Sequence, residues 1–307
     1  RRLWLKLWLP LAARRDGVNV MHFPGSIVSL LRPYRSVVTV YDLCNLRAPG
    51  LALGNEARLM RGVVRRSALR SARVLAISQA TADDAVELLG VRRARVAVTP
   101  LAPDPRFRPV PDAAARVADK LDLRQPYLLF VGTPYPRKNL ARVLDALAQL
   151  GKAGEGVTLA IAGRKEKAAP GVRDHARVLG VADRVRFLGD VPDEEMPTLY
   201  SAAEMLVHPA LIEGFGLTVV EAMACGTPVV TSTTSCLPEV AGDAALLVDP
   251  ARPGEIAGAI RRFLAEPALR EEYSRRGVER AAQFSWERTA RLTLDAYRAA
   301  LEDPCAS

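Results

Sequence analysis

The sequence predicts an α/β protein built from two facing, doubly wound lobes of parallel sheet, the first of them incomplete. Three observations lead there. Short apolar, β-branched runs alternate with longer helical patterns throughout the chain, which implies parallel strands joined by right-handed helical crossovers. One proline-rich stretch, Pro100 to Pro126, interrupts that alternation. The length, 307 residues, lets each half bury its own core.

In the first lobe the candidate strands are Val18–His22, Val37–Tyr41, Val74–Ile77 and Arg95–Thr99. In the second they are Tyr127–Val131, Thr158–Ala162, Arg184–Leu188, Met205–Val207, Pro228–Thr231 and Ala245–Val248. Most are continuously apolar, as strands covered on both faces are. The break holds Pro100, Pro103, Pro105, Pro109, Pro111 and Pro126 and reads as an extended linker. The expected organisation is therefore residues 1–105, 106–283, and a closing helix within 284–307 that crosses back to the first lobe. That helix, Phe284 to Leu301, starts at Ser285, a cap residue. A doubly wound lobe places its first glycine-rich loop after its first strand. None precedes Val18, and the first residue is Arg1. The chain thus reads as starting inside a longer protein, with the opening strands of the first lobe missing.

Charge and cysteine usage narrow the function classes. The net charge is +9, which suits nucleic acid, an anionic membrane surface or a phosphate-bearing substrate. The basic residues are spread along helical patterns, as at Arg58, Arg61, Arg65, Arg66 and Arg70. No aromatic-interleaved basic run offers base stacking, so no nucleic-acid partner is expected. Cys44, Cys225, Cys236 and Cys305 form neither a C-x-x-C pair nor a zinc spacing. Reduced thiols in the cytoplasm, and no metal site, are expected. No apolar run reaches the ~18 residues of a membrane span. Arg1 to Pro10 mixes Trp and Leu with Arg and Lys, which fits either an interfacial helix or one packed on the first sheet.

The segment His208 to Pro228 carries the most chemistry. A strand ends at Val207, a loop with two glycines follows, and a helix runs from about Thr218 to Cys225, closed by Gly226. A glycine-flanked loop at a helix N-terminus, beyond the carboxyl end of a parallel strand, favours a phosphate group. Glu213 projects from the loop and Glu221 from the start of the helix, and carboxylates accept from paired hydroxyls. Glu221 also follows Thr218 by three, the spacing of a capping box, and Glu213 also fits a solvated loop. A second loop, Gly132 to Asn139, follows the first strand of the second lobe. It places Arg137 and Lys138 near the topological switch point, where ligands bind in open α/β sheets. Two cations there can neutralise a departing diphosphate; a solvated basic turn is the plainer alternative.

The segment around Glu213 and Glu221 resembles the Glu-x7-Glu motif of the retaining glycosyltransferases of family 4 (group 1), which have the GT-B fold. Tyr127 to Leu140, Val185 to Gly189, Leu237 to Asp243 and Val248-Asp249-Pro250 resemble the same family. The resemblance covers nearly the whole chain and is most specific in the second lobe. It implies that Glu213 holds donor sugar hydroxyls and Glu221 the ribose. Gly214, Phe215 and Gly216 would meet the sugar through the backbone, and Leu217 and Thr218 amides would face the diphosphate. Arg137 and Lys138 would contact that diphosphate, with Gly132, Thr133 and Gly189 lining the donor site. Many members carry Arg where Thr133 stands. Val38 to Leu43 resembles a strand end that reads His-Asp-Leu in the family; here Tyr41 replaces the His. Tyr is a poor general base near neutral pH. Asp42 remains a candidate on the catalytic side, with a buried structural role as the alternative. His22 and Ser78, at other strand ends, are cleft candidates with a core histidine and a helix cap as alternatives.

The resemblance implies transfer of a sugar, mannose first, from GDP-mannose or another nucleoside diphosphate sugar to a hydroxyl of a glycan or lipid-linked acceptor. It implies retention of configuration, front-face attack assisted by the leaving phosphate, and no cofactor beyond the nucleotide sugar as co-substrate. No D-x-D motif is present to mark a metal-bound diphosphate. The expected place is the cytoplasm, in peripheral contact with the inner membrane face. A sugar-nucleotide epimerase on the same fold, a binding protein without turnover and a basic membrane-surface module are the rival readings.

Overall fold

Each run read as a strand pairs as one, and every pairing is parallel. The computed structural model describes residues 8–29, 33–51, 56–163 and 170–302. The chain divides into two units, Arg1–Leu101 with Ser285–Ser307, and Ala102–Phe284.

The first unit begins with α1 (Leu9–Arg15), β1 (Val20–Phe23), β2 (Arg35–Val40), α2 (Cys44–Arg47) and α3 (Glu56–Arg70). β3 (Arg73–Ala76), α4 (Gln79–Leu89) and β4 (Val96–Val98) follow. The sheet order is β1-β2-β3-β4. β2 is buried from Ser36 to Val40, with Val37, Val38 and Val40 supplying the apolar faces of a covered strand. Residues 1–7 of the N-terminal amphipathic segment lie outside the described residues; Trp8 is exposed, while Pro10 and Ala13 of α1 are buried.

In the second unit the expected linker is corrected. Between Pro111 and Pro126 the stretch is free of proline, and Ala113–Leu121, made largely of helix formers, is the helix α5. Ala113 and Val117 bury its inner stripe. Then come β5 (Tyr127–Val131), α6 (Leu140–Gln149), β6 (Thr158–Ala162), α7 (Pro170–Val178), β7 (Val185–Gly189), α8 (Met196–Ser201) and β8 (Met205–His208). After these come α9 (Leu217–Ala224), β9 (Val229–Ser232), α10 (Leu237–Ala241), β10 (Leu246–Val248), α11 (Pro253–Ala265) and α12 (Pro267–Ala281). The order β10-β9-β8-β5-β6-β7 reverses direction between β5 and β8. Leu128 and Phe130 enter the core shared with α6 and α11. Side chains alternate across a strand, so Tyr127 and Leu129 face the other side, where the Tyr127 hydroxyl donates to Leu199 O of α8 at 2.6 Å.

The last helix, α13 (Trp286–Glu302), belongs to the first unit. Ala296 and Ala300 pack with Val37, Ala72 and Leu75. Its start is capped by Ser285, whose Oγ accepts from Arg288 N at 3.1 Å.

At the carboxyl edge of β5, β6 and β7, three glycines let the backbones close ranks. Gly132 N donates to Ala162 O and Gly163 N to Gly189 O, each at 2.8 Å. Gly163 has φ +152, and a Cβ there would overlap the Gly132 carbonyl. Gly163→Ala should therefore cost about 2 kcal/mol in urea unfolding and displace the Gly132 loop. An alanine variant of parental stability would show that this edge tolerates a side chain.

Candidate functional site

The loops leaving β5 and β8 meet at the switch point, and hydrogen bonds to their backbones hold them in place. Asn139, at φ +64, donates through Nδ2 to Pro209 O at 2.9 Å and Pro250 O at 2.8 Å. Leu211 N donates to Arg137 O at 2.8 Å. Ser232 Oγ donates to Ala210 O at 2.6 Å. Ser235 Oγ donates to Glu213 O at 2.7 Å and accepts from Glu213 N at 3.2 Å. A 3-10 turn over Pro136–Lys138, with proline setting its first φ, aims Arg137 and Lys138 at this loop.

Glu213 is the focus. Its side chain is 8% exposed. Oε2 accepts from Arg137 Nη1 at 2.9 Å, and Oε1 pairs with Lys138 Nζ and with His208 Nε2, the latter at 3.2 Å. Burial alone would raise this carboxyl. The hydrogen bond from His208 and the charges of Lys138 and Arg137 outweigh it and hold the group well below the usual carboxylate range. His208 is fully buried; burial lowers its imidazole, with the charges of Lys138 and Arg137 adding to that and Glu213 opposing it.

The helix after the loop starts differently from the capping-box alternative. Gly216, in the left-handed region at φ +92, is the N-cap of α9, and no side chain caps it. A Cβ on Gly216 would come within 2.7 Å of Leu237 Cδ2. The Phe215 ring turns into the core and meets Phe284 edge-on at 5.6 Å, which leaves its backbone to the loop. Gly214 is buried, and Leu217 and Thr218 are half-buried in the first turn, where amides have no intrahelical partners. Thr218 Oγ1 is buried without a hydrogen-bond partner. Glu221 lies past the first turn and accepts from the Tyr200 hydroxyl at 2.9 Å. Burial raises the Glu221 carboxyl; Tyr200 opposes the rise, and Asp193 and Asp104 add to it. Tyr200 is itself fully buried, with Phe107 edge-on at 5.8 Å.

A sequence profile of the Glycosyl transferases group 1 family matches residues 113–280, and one of Glycosyltransferase Family 4 matches residues 1–136. The chain belongs to the group 1, family 4 glycosyltransferases. It is 33% identical over 295 residues to the O-antigen chain mannosyltransferase B of Escherichia coli, covering 93% of this chain and 76% of that one. It is 33% identical over 273 residues to a D-inositol 3-phosphate glycosyltransferase of Segniliparus rotundus, covering 86% of this chain and 61% of that one. Among solved structures, a sucrose-phosphate synthase from Thermosynechococcus elongatus superposes with a TM-score of 0.76 at 25% identity, over 94% of this chain and 75% of that one.

In this glycosyltransferase the second unit gathers Glu213, Arg137, Lys138 and Gly132; the Lys138 Cε lies 3.7 Å from where a Gly132 Cβ would stand. Thr133 is half-buried beside them, and Gly189 is buried two strands over. Of the candidates in the first unit, Asp42, His22 and Ser78 have partners within that unit. Tyr41 is 45% exposed. Asp42 is exposed rather than buried, and its Oδ1 accepts from Cys44 N at 3.1 Å at the start of α2. His22 meets Thr39 Oγ1 through Nε2 at 2.8 Å and the Tyr297 hydroxyl through Nδ1 at 2.7 Å. Ser78, offered as a cleft residue, is fully buried and caps α4, accepting from Thr81 N at 3.0 Å. Sequence reasoning passed over His208, Tyr200 and Ser235 as site residues. His208 carried a signal, since it ends β8 directly before the loop; Tyr200 and Ser235 reach the site from other elements and carried none.

The two glutamates should act oppositely on stability. A carboxyl lowered on folding stabilises the fold above its unfolded value, near 4.3, and loses that as pH falls; a raised one costs stability as pH rises. At pH 7, Glu213→Gln should cost about 3 kcal/mol, a drop of roughly 6–12 °C for a unit this size. Glu221→Gln should leave the melting temperature unchanged or higher. Thermal unfolding at pH 7 checks both, and equal losses would contradict the assigned environments.

Proposed function

We propose that the chain transfers a glycosyl group, mannose first, from a nucleoside diphosphate sugar such as GDP-mannose to a hydroxyl of a glycan or lipid-linked acceptor. The observation that carries this reading is the pairing of Arg137 and Lys138 with buried Glu213, between the ends of β5 and β8 and close to the N-terminus of α9.

Two cations against one carboxylate leave a positive surplus, which suits a diphosphate. In the proposed complex Arg137, Lys138 and the amides of Leu217 and Thr218 hold the diphosphate, and negative charge grows there as the sugar leaves. Glu213, kept ionised, accepts from sugar hydroxyls. Glu221 accepts from the ribose diol, with Gly132, Thr133 and Gly189 shaping the floor of the donor site. The C1–O bond to the diphosphate breaks, a C1–O bond to the acceptor forms on the same face, and the acceptor proton passes to a phosphate oxygen. Configuration is retained. The cations do the work a divalent metal does elsewhere, so no metal enters these steps. Asp42 is kept as a candidate on the acceptor side.

The likeness to an O-antigen chain mannosyltransferase supports mannose and a saccharide acceptor. The likeness to a D-inositol 3-phosphate glycosyltransferase favours a second reading, with a phosphorylated polyol as acceptor. No helix among the described residues is long and apolar enough to cross a membrane. We assign the protein to the cytoplasm, in peripheral contact with the inner membrane face where lipid-linked acceptors lie.

Calorimetry with GDP, UDP, GDP-mannose and UDP-glucose tests the donor site, and transfer assays test the roles. Glu213→Gln should lower transfer about 100-fold or more while nucleoside diphosphate binding persists. Glu221→Gln should weaken nucleotide binding about 10-fold, the worth of a charge-assisted hydrogen bond. Lys138→Ala should lose nucleotide binding. Parental transfer rates in both glutamate variants would sink the assignment. Transfer should also persist in excess chelator, and loss there would place a metal at the diphosphate.

A further inference from the structure

His208 is 0% exposed at the last position of β8. Its backbone is pinned, since Thr231 Oγ1 of β9 donates to His208 O at 2.9 Å. Its ring lies 6.4 Å from the Phe130 ring, tilted by 30°. Nε2 stands 3.2 Å from Glu213 Oε1, while Nδ1 is buried with no hydrogen-bond partner. An ionised carboxylate only accepts, so Nε2 carries the proton and Nδ1 is a bare lone pair. A second proton on Nδ1 would put an N–H without an acceptor, and a third positive charge, beside Lys138 and Arg137.

From this geometry we infer that His208 is a positioning residue, a neutral Nε2–H donor whose task is to hold the Glu213 carboxylate in register for the donor sugar. The inference rests on the proposed donor-site reading. Arg137 and Lys138 serve two masters there, since a bound diphosphate draws on the same cations that pair with Glu213. The polar side-chain contact of His208 goes to Glu213, so its grip stays when the cations shift. It anchors Oε1, and the lone pairs of Oε2 not used by Arg137 stay open to sugar hydroxyls. As a neutral donor it leaves the positive surplus of the cluster at one charge. The titratable groups facing it are Glu213, Lys138 and Arg137.

Nitrogen-15 spectroscopy of the imidazoles, three per chain, reads this without turnover. Loss of one signal in His208→Gln assigns the ring. That ring should be the Nε2–H tautomer and stay neutral from pH 8 to pH 5.5, and Glu213→Gln should shift its Nε2 resonance. An Nδ1–H tautomer, or titration near the ordinary value of about 6.5, overturns the inference. Kinetics supply the second arm. Gln at 208 can set an amide N–H where Nε2 stands, whereas Asn places its amide nearer Nδ1, short of Glu213. His208→Gln should keep kcat within about 3-fold, and His208→Asn should lower kcat about 10-fold or more with nucleotide affinity and donor KM held within about 2-fold. Equal losses in both variants, or a parallel loss of nucleotide binding, would mean a packing role and overturn it. A parental chain that transfers no sugar would fail the enzyme reading, while the nitrogen spectra would still decide the hydrogen bond.

Discussion

The ion pairing of one buried carboxylate, Glu213, is the constraint around which the second unit is arranged. A carboxylate taken out of water is tolerated only where cations and hydrogen-bond donors replace the lost hydration. Here three residues from two places supply them: Arg137 and Lys138 from the loop after β5, and His208 from the end of β8. Those loops are adjacent because β5 and β8 are neighbours where the strand order reverses. The remaining local features keep the distances short enough for the pairing to hold. Asn139 ties the basic turn to Pro209 and Pro250, and Ser235 clasps the Glu213 backbone from both sides.

The two glutamates of the motif are alike in sequence and opposite in physics. Glu213 is buried against cations, and its ionised form is favoured. Glu221 is buried against a phenol, with Asp193 and Asp104 contributing like charge, and its ionised form is disfavoured. Lys138 acts on both, strongly on the first and weakly on the second. One carboxylate thus strengthens the fold, while the other is a cost the fold carries. A carboxylate kept under such a cost points to binding rather than stability as its reason for being there.

Much of this was legible in the sequence. Unbroken β-branched runs are read easily as buried parallel strands, and the order of glycines and glutamates after Val207 pointed to the loop where Glu213 is buried. The misses have physical causes. The stretch around Pro103 to Pro111 masked the helix at Ala113–Leu121, because proline density signals a linker and the short proline-free run after it is weak by itself. The Thr218–Glu221 spacing matched a capping box, yet Gly216 enters the helix in the left-handed region, and Tyr200 engages Glu221 instead. Tyr200 reaches the motif from a different helix, and linear spacing holds no record of such a contact. For Asp42, a catalytic-side candidate, the alternative of a buried structural role falls, because Tyr41 and Asp42, directly after Val40, are exposed.

The substitution at Tyr41 bears on how the chemistry runs. The resemblance places a histidine there, and a phenol is a poorer general base than an imidazole. A mechanism that needed a protein base at this position would therefore fail in this chain. Front-face transfer does not need one, since the departing phosphate oxygen can accept the proton of the attacking hydroxyl. What that route demands from the protein is charge at the diphosphate and a fixed sugar. In the proposed reading Arg137, Lys138 and the start of α9 offer the first, and Glu213, with His208 beside it, offers the second. The charged groups that the structure draws together, Glu213, Arg137 and Lys138, with His208 beside them, thus lie at the ends and in the loops of the second unit's strands.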